Sequence, residues 1–278
     1  MRRPLEGVRV VSLAINLPGP LAAARLAALG ADVLKIEPPA GDPLQRVAEG
    51  WYAELIRGQQ VRCLDLKTAE GSTALAGLLS GADLLLTSSR PSALAALGLG
   101  RTELSARFPR LCQVAIVGRC GAEAELAGHD LTYQAAAGLL DGAQMPRVPY
   151  ADLAGAERAV SEALAALFAR QLHGEATYRE VSLAEAAAEL AEPLRRGLSR
   201  RGDMLGGGLP GYNIYPSRDG YIALAALEPR FWQRLLAALG MDGSPGGLAA
   251  LFATRTSSEW EAWGAAHDVP IAAVLTGL

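Results

Sequence analysis

The stretch "VRVVSLAINLPGPLAAARLAALGADVLKIE", residues 8–37, decides the fold. Val8–Leu13 is a short β-branched run and reads as a strand. Pro18 and Gly19 then open an Ala/Leu stretch that Gly30 ends, and this reads as a helix. "DVLKIE" (32–37) is a second strand, so the whole is a βαβ unit.

The pattern recurs along the chain. "VRCLDL" (61–66), "ADLLLTS" (82–88), "LCQVAIVG" (111–118) and "TYREVSL" (177–183) read as strands. Helices are expected over 70–79, 92–108, 153–172 and 184–194. Strands alternating with helices predict an α/β fold: a Rossmann-like parallel sheet with helices on both faces and ligands at the carboxyl ends of its strands.

The texture changes after Leu194. "RRGLSRRGDMLGGGLPG" (195–211) is basic, glycine-rich and without periodicity, and reads as a linker. "YNIYPSRDGYIALAAL" (212–227) has two strands around an Asp-Gly turn, and two short helices with Trp232, Trp260 and Trp263 follow. The expected organisation is a large α/β domain over 1–194, the linker 195–211, and a small C-terminal α+β domain over 212–278. So small a domain has a marginal core of its own and is expected to lean on the first domain or on a partner chain.

Composition narrows the function. The chain has 278 residues, half of them hydrophobic, and a net charge of −3 with its arginines scattered among acids. No footprint for nucleic acid or membrane emerges, and any anionic ligand must be held by local groups. Cys63, Cys112 and Cys120 form no CxxC motif and suit a reducing cytoplasm. The opening "MRRPLEGVRV" carries no leader pattern, and no run reaches membrane-span length. No His or Cys spacing suits a metal, and "GGG" (206–208) lacks the spacing of a nucleotide loop. His173 and His267 fall in turns at the surface.

Three residues stand out for chemistry. His129, in "GHD" (128–130), follows the strand ending near Val117, where a parallel sheet presents its site. By position alone it reads first as a structural histidine packed between helices. Asp152 in "RVPYADLAGAERAV" (147–160) stands where the long helix begins and reads as an N-cap, a place that also favours a reacting carboxylate or an oxyanion. Glu228, before Pro229 at a strand-to-helix junction, is also explained by the helix dipole alone.

Read together, these stretches resemble the family III CoA-transferases and, within that superfamily, the α-methylacyl-CoA racemase branch. The resemblance is carried in order by "PLEGVRVVSLA" (4–14), "PGP" (18–20), "LGADVLKIEPPAGDP" (29–43), "LDLKTAEG" (64–71), "SRPSALAALGLG" (89–100), "ELSARFPRL" (103–111) and "AGHDLTYQAAAGLL" (127–140). His129 in its "GHDxxY" motif and Glu228 in "AALEPRFW" (225–232) lean toward the racemases.

The resemblance implies racemisation or epimerisation of a 2-methylacyl-CoA or related thioester by two-base α-proton transfer. His129, assisted by Glu228, would serve one face and Asp152 the other. The helix start at Asp152 is the expected donor to the enolate oxygen. A transferase would instead use Asp152 as a covalent nucleophile, and a non-catalytic acyl-CoA-binding homologue is a third reading. Coenzyme A would enter as a substrate thioester, with no permanently bound cofactor and no metal. The resemblance puts Asn16, Lys35, Leu64, Arg90 and Asp130 within its reach, with Lys35 and Arg90 as phosphate partners. A cytoplasmic homodimer is expected.

The sequence also departs from the pattern. Pro38 and Ala96 replace arginines that would grip CoA, and "VGRCGAEA" (117–124) replaces a glycine- and tryptophan-containing segment. The chain ends in "VPIAAVLTGL" (269–278), where the family continues and returns to the large domain, so the small domain is expected to be shortened.

Overall fold

The computed structural model describes residues 3–276; Met1, Arg2, Gly277 and Leu278, at the outer ends of the two expected domains, lie outside the described residues. The chain divides into two units, the first ending at Ala191 and the second running from Glu192.

In chain order the first unit contains β1 (Arg9–Ser12), α1 (Pro18–Ala28), β2 (Asp32–Glu37), α2 (Pro43–Val47), α3 (Glu49–Leu55), β3 (Gln60–Cys63), α4 (Ala69–Leu79), β4 (Leu84–Thr87), α5 (Pro91–Ala96), α6 (Arg101–Arg107), β5 (Cys112–Val117), α7 (Asp130–Ala137), α8 (Tyr150–His173), β6 (Tyr178–Ser182) and α9 (Leu183–Leu190). Its strands form one parallel sheet in the order β3-β2-β1-β4-β5-β6. The order reverses direction between β1 and β4, the doubly wound arrangement whose switch point opens a crevice at the strand ends.

Alternation along the strands builds two apolar layers. Leu84 and Leu86 point with Val114 and Ile116 toward α1, α8 and α9. Leu85 points the other way with Val11 and Ile36, against Leu75 and Leu79 of α4 and the α5–α6 region. Every residue of β4 and β5 is buried, which is why both read as nearly continuous apolar runs, interrupted only by Thr87 and Gln113. The inner face of α8 is built from Ala156, Ala159, Ala163 and Ala166, all fully buried. These small side chains let the helix lie close on the sheet, and the Cys112 thiol donates to the Ala166 carbonyl at 3.5 Å.

Gly19 in the first turn of α1 is required by packing: a Cβ there would collide with the Ala14 side chain and come within 2.9 Å of its carbonyl carbon. The expected helix 92–108 is instead two helices, α5 and α6. Gly98, at φ +67, turns the chain, and Leu99 N–H closes back on the Leu94 carbonyl at 2.9 Å.

The second unit contains α10 (Glu192–Arg195), β7 (Tyr212–Pro216), β8 (Tyr221–Ala225), α11 (Pro229–Leu239), α12 (Pro245–Phe252), α13 (Ser257–His267) and β9 (Ile271–Ala273). The expected helix 184–194 is divided between α9 and α10, with Pro193, which has no N–H to give, at the junction. β7, β8 and β9 form an antiparallel sheet, so three helices and a third strand stand where two helices and a hairpin were expected. The core centres on Trp260, which meets Phe252 edge-on at 4.9 Å and donates its indole N–H to the Phe252 carbonyl at 2.7 Å. Residues 195–211 belong to this unit and include a wide turn over Met204–Gly208, held by the Asn213 side-chain amide on the Gly207 carbonyl at 2.9 Å.

Candidate active site

At the switch point the loops after β1 and β4 part, and the end of β5 forms the floor of a cavity of about 220 Å³. Asn16, Arg90, His129 and Asp152 all line it. Ser88 fastens the two loops: its hydroxyl oxygen accepts the Ile15 N–H at 2.9 Å. A second cavity of about 170 Å³ is lined by Leu64, Pro38 and Pro39 and shares Ile15 and Ser89 with the first. Ile15 and Ser89 therefore form a wall common to both cavities.

His129 is the residue before α7, in extended backbone at φ −141 and ψ 167. Its N–H donates to Thr132 Oγ1 at 3.1 Å, and its carbonyl accepts the Thr132 hydroxyl at 2.8 Å. The backbone is thus held by the first turn of α7. His129 is exposed, and it forms a capping box with Thr132 at the start of α7. A structural histidine packed between helices is excluded by that exposure.

Tyr133 lies beneath it, buried, with burial raising the pKa of its hydroxyl. Gly118 and Gly128 both face the Tyr133 ring, and a Cβ at either would collide with it. Gly118 after β5 and Gly128 of "GHD" therefore make room for the tyrosine of that motif.

Asp152 is not the N-cap. The helix begins three residues earlier than the periodicity suggests, Pro149 occupies the cap without a side-chain bond, and Asp152 is the third residue of the first turn. The capping carboxylate belongs to Asp130, whose Oδ1 accepts the Asp152 N–H at 3.1 Å. That bond also removes Asp152 N–H as a donor to a substrate oxygen. The free donors near His129 are instead the first N–H groups of α7, at Asp130 and Leu131, which have no intrahelical acceptor. Burial, and then the Asp130 charge, raise the Asp152 carboxyl from its usual 3.8 to about 6.

The structure corrects the expectation for Lys35. Its ammonium group is fully buried, 2.7 Å from Asp42 Oδ2, 3.1 Å from the Ala14 carbonyl and 3.6 Å from Glu37 Oε1. A cation so enclosed does not reach a phosphate; it holds the loop after β2. Asp42 Oδ1 in turn accepts the N–H of Asn16 at 3.1 Å and of Leu44 at 2.9 Å. Asn16 adopts φ +66, a left-handed conformation that asparagine tolerates, so the buried pair fixes a strained residue on the cavity wall. Arg90 is exposed at the start of α5 and lines the cavity, and its charge acts on the nearby Glu125 carboxylate.

The Asp130 carboxylate is fully engaged in the protein, with Oδ2 accepting from Gln134 Nε2 at 2.5 Å. Glu228 is in the second unit, exposed, as the N-cap residue of α11 with no capping bond from its side chain. Tyr133, Ser88 and Asp42 escaped the sequence reading. Tyr133 had a signal in the "GHDxxY" spacing, whereas the other two act through partners distant in the chain. Among the described residues no group of His, Cys, Asp or Glu is arranged to hold a metal, and no helix is long and apolar enough to cross a membrane.

Residues 5–277 match CoA-transferase family III. The chain belongs to that family. It is 36% identical over 261 residues to the succinyl-CoA:(R)-benzylsuccinate CoA-transferase subunit BbsE of Thauera aromatica, covering 83% of this chain and 62% of that protein. It is 31% identical over 288 residues to the α-methylacyl-CoA racemase of Homo sapiens, covering 92% of this chain and 74% of the racemase. The chain therefore spans between three-fifths and three-quarters of the length of these relatives. Among solved structures, the hypothetical protein Rv3272 of Mycobacterium tuberculosis is 26% identical with a TM-score of 0.86 over 99% of this chain and 86% of that one. A CAIB/BAIF family protein from Brucella suis is 25% identical with a TM-score of 0.81 over 99% and 85%.

Proposed function

We propose that this chain racemises or epimerises a 2-methylacyl-CoA or related acyl thioester by two-base α-proton transfer. The observation that supports it is the presence of His129 and Asp152 in one cavity, the histidine exposed and the carboxyl raised to about 6. A carboxyl titrating there can both accept and return a proton near neutral pH.

One base removes the α-proton, the electron pair moves into the thioester carbonyl to form an enolate, and the other base, already protonated, delivers a proton to the opposite face. Each turnover exchanges the protonation states of His129 and Asp152. The enolate oxygen finds its donors in the first turn of α7, beside His129. Arg90 meets a CoA phosphate, Asn16 and Leu64 line the path of CoA, and Asp130 acts through Asp152. The enzyme works in the cytoplasm as a homodimer, a reading supported by the small core of the second unit.

The likeness to BbsE favours a second reading, CoA transfer. The Asp152 carboxylate would then attack the thioester carbonyl and expel CoA thiolate to give a mixed anhydride. The thiolate would attack the aspartyl carbonyl of the anhydride, releasing the acid and leaving β-aspartyl-CoA.

Incubation with 2-methylacyl-CoA esters in deuterated water tests the proposal. Deuterium is expected at the α-carbon, and His129→Ala should slow its entry by roughly 10²–10⁴-fold. An acyl or CoA adduct on Asp152, seen by mass spectrometry, with no exchange would reassign the chain to CoA transfer. Calorimetric binding of acyl-CoA with neither reaction would make it a binding protein.

A further inference from the structure

We propose that Gln134 is a positioning residue for Asp152, acting through Asp130. Gln134 stands one turn into α7 and is fully buried. Its Nε2 donates to Asp130 Oδ2 at 2.5 Å and to the Val148 carbonyl at 3.0 Å. Asp130 Oδ1 takes the Asp152 N–H, and Val148 leads directly into the N-cap Pro149 of α8. One amide group thereby fastens both the carboxylate that caps α8 and the strand of chain from which α8 starts.

The side chain gains little for packing alone. Its Oε1 is buried without a partner, a cost that a methionine of similar volume would not carry. What glutamine supplies is two donated bonds, one of them to a charged acceptor. Without them the Asp130 carboxylate loses a donor, turns more freely, and releases the Asp152 N–H; the first turn of α8 then moves with its carboxyl. A displacement of about 1 Å at a reacting group costs on the order of 100-fold in rate.

The inference rests on Asp152 being a reacting group, but its first test needs no substrate. Amide hydrogen exchange of Asp152 is followed by NMR in the full chain and in Gln134→Met. Exchange at Asp152 should accelerate at least tenfold, while Ala159 and Ala163 in the middle of α8 keep their protection. In the thioester exchange assay kcat should fall about tenfold with KM changed less than twofold. Gln134→Asn, which keeps the amide but is one methylene too short to bridge both acceptors, should act the same way and serves if Gln134→Met does not fold. Unchanged protection at Asp152 in a folded variant, or a raised KM with kcat intact, would overturn the proposal. A wild-type chain that exchanges no α-proton would reject the racemase reading alone, since the amide measurement is independent of it.

Discussion

Asp130 Oδ1 accepts the backbone N–H of Asp152 at 3.1 Å, so the residue after one candidate base caps the helix that carries the other. The bond ties the start of α7 to the start of α8, and the spacing of His129 and Asp152 is set by two helices rather than by the loop between them. The same carboxylate adds its charge to the burial that raises the Asp152 pKa.

That pKa has a stability consequence. The folded state holds the Asp152 proton more tightly than the unfolded chain, so stability falls as pH rises from about 4 to about 6 and stays lower above. At 1.36 kcal/mol per unit the loss approaches about 3 kcal/mol. Asp152→Asn should therefore be more stable than the wild type by about 1–3 kcal/mol at pH 8 and equal to it below pH 4, as read from urea denaturation midpoints.

Asp130→Asn removes the second cause of the shift and keeps an oxygen to accept the Asp152 N–H. The Asp152 carboxyl should titrate below 6, and the acid limb of kcat/KM should move to lower pH with it. A limb that stays in place would mean burial alone sets the value. Carboxyl-carbon NMR titration of Asp152 checks the shift without substrate.

Lys35 and Arg90 should separate cleanly. Lys35→Met leaves Asp42 buried without its cation and is expected to cost about 3–5 kcal/mol in thermal or urea unfolding. Arg90→Ala removes an exposed cation from the cavity wall, so stability should hold while the Kd for CoA rises about tenfold. Calorimetry with CoA at two salt concentrations distinguishes them.

Gly19→Ala tests the close approach at the start of α1. The added methyl meets the Ala14 side chain and backbone, and a backbone cannot rotate away. Overpacking of about 1–3 kcal/mol outweighs the roughly 1 kcal/mol that alanine gains in helix propensity. A net loss of about 1–2 kcal/mol is expected, with altered amide shifts at Ile15 and Asn16 on the cavity wall.

Much of the molecule is written in local pattern. Apolar runs buried on both faces specified β4 and β5, and the proline, glycine and alanine of residues 18–30 specified α1; together they determined a parallel sheet with a candidate site at its strand ends. The "GHDxxY" spacing pointed to His129, because the motif residues lie next to one another in the chain, at the start of one helix. Tertiary structure decided which charges are free. Lys35 looks like a surface cation until Asp42 folds back over it. Asp152 looks like a cap until Asp130, 22 residues earlier, takes that role, and Ser88 finds Ile15 across 73 residues. Sequence pattern reports which face of an element is buried. Whether a charge is paired or open depends on partners that only long-range folding brings within 3 Å, and on the desolvation that follows.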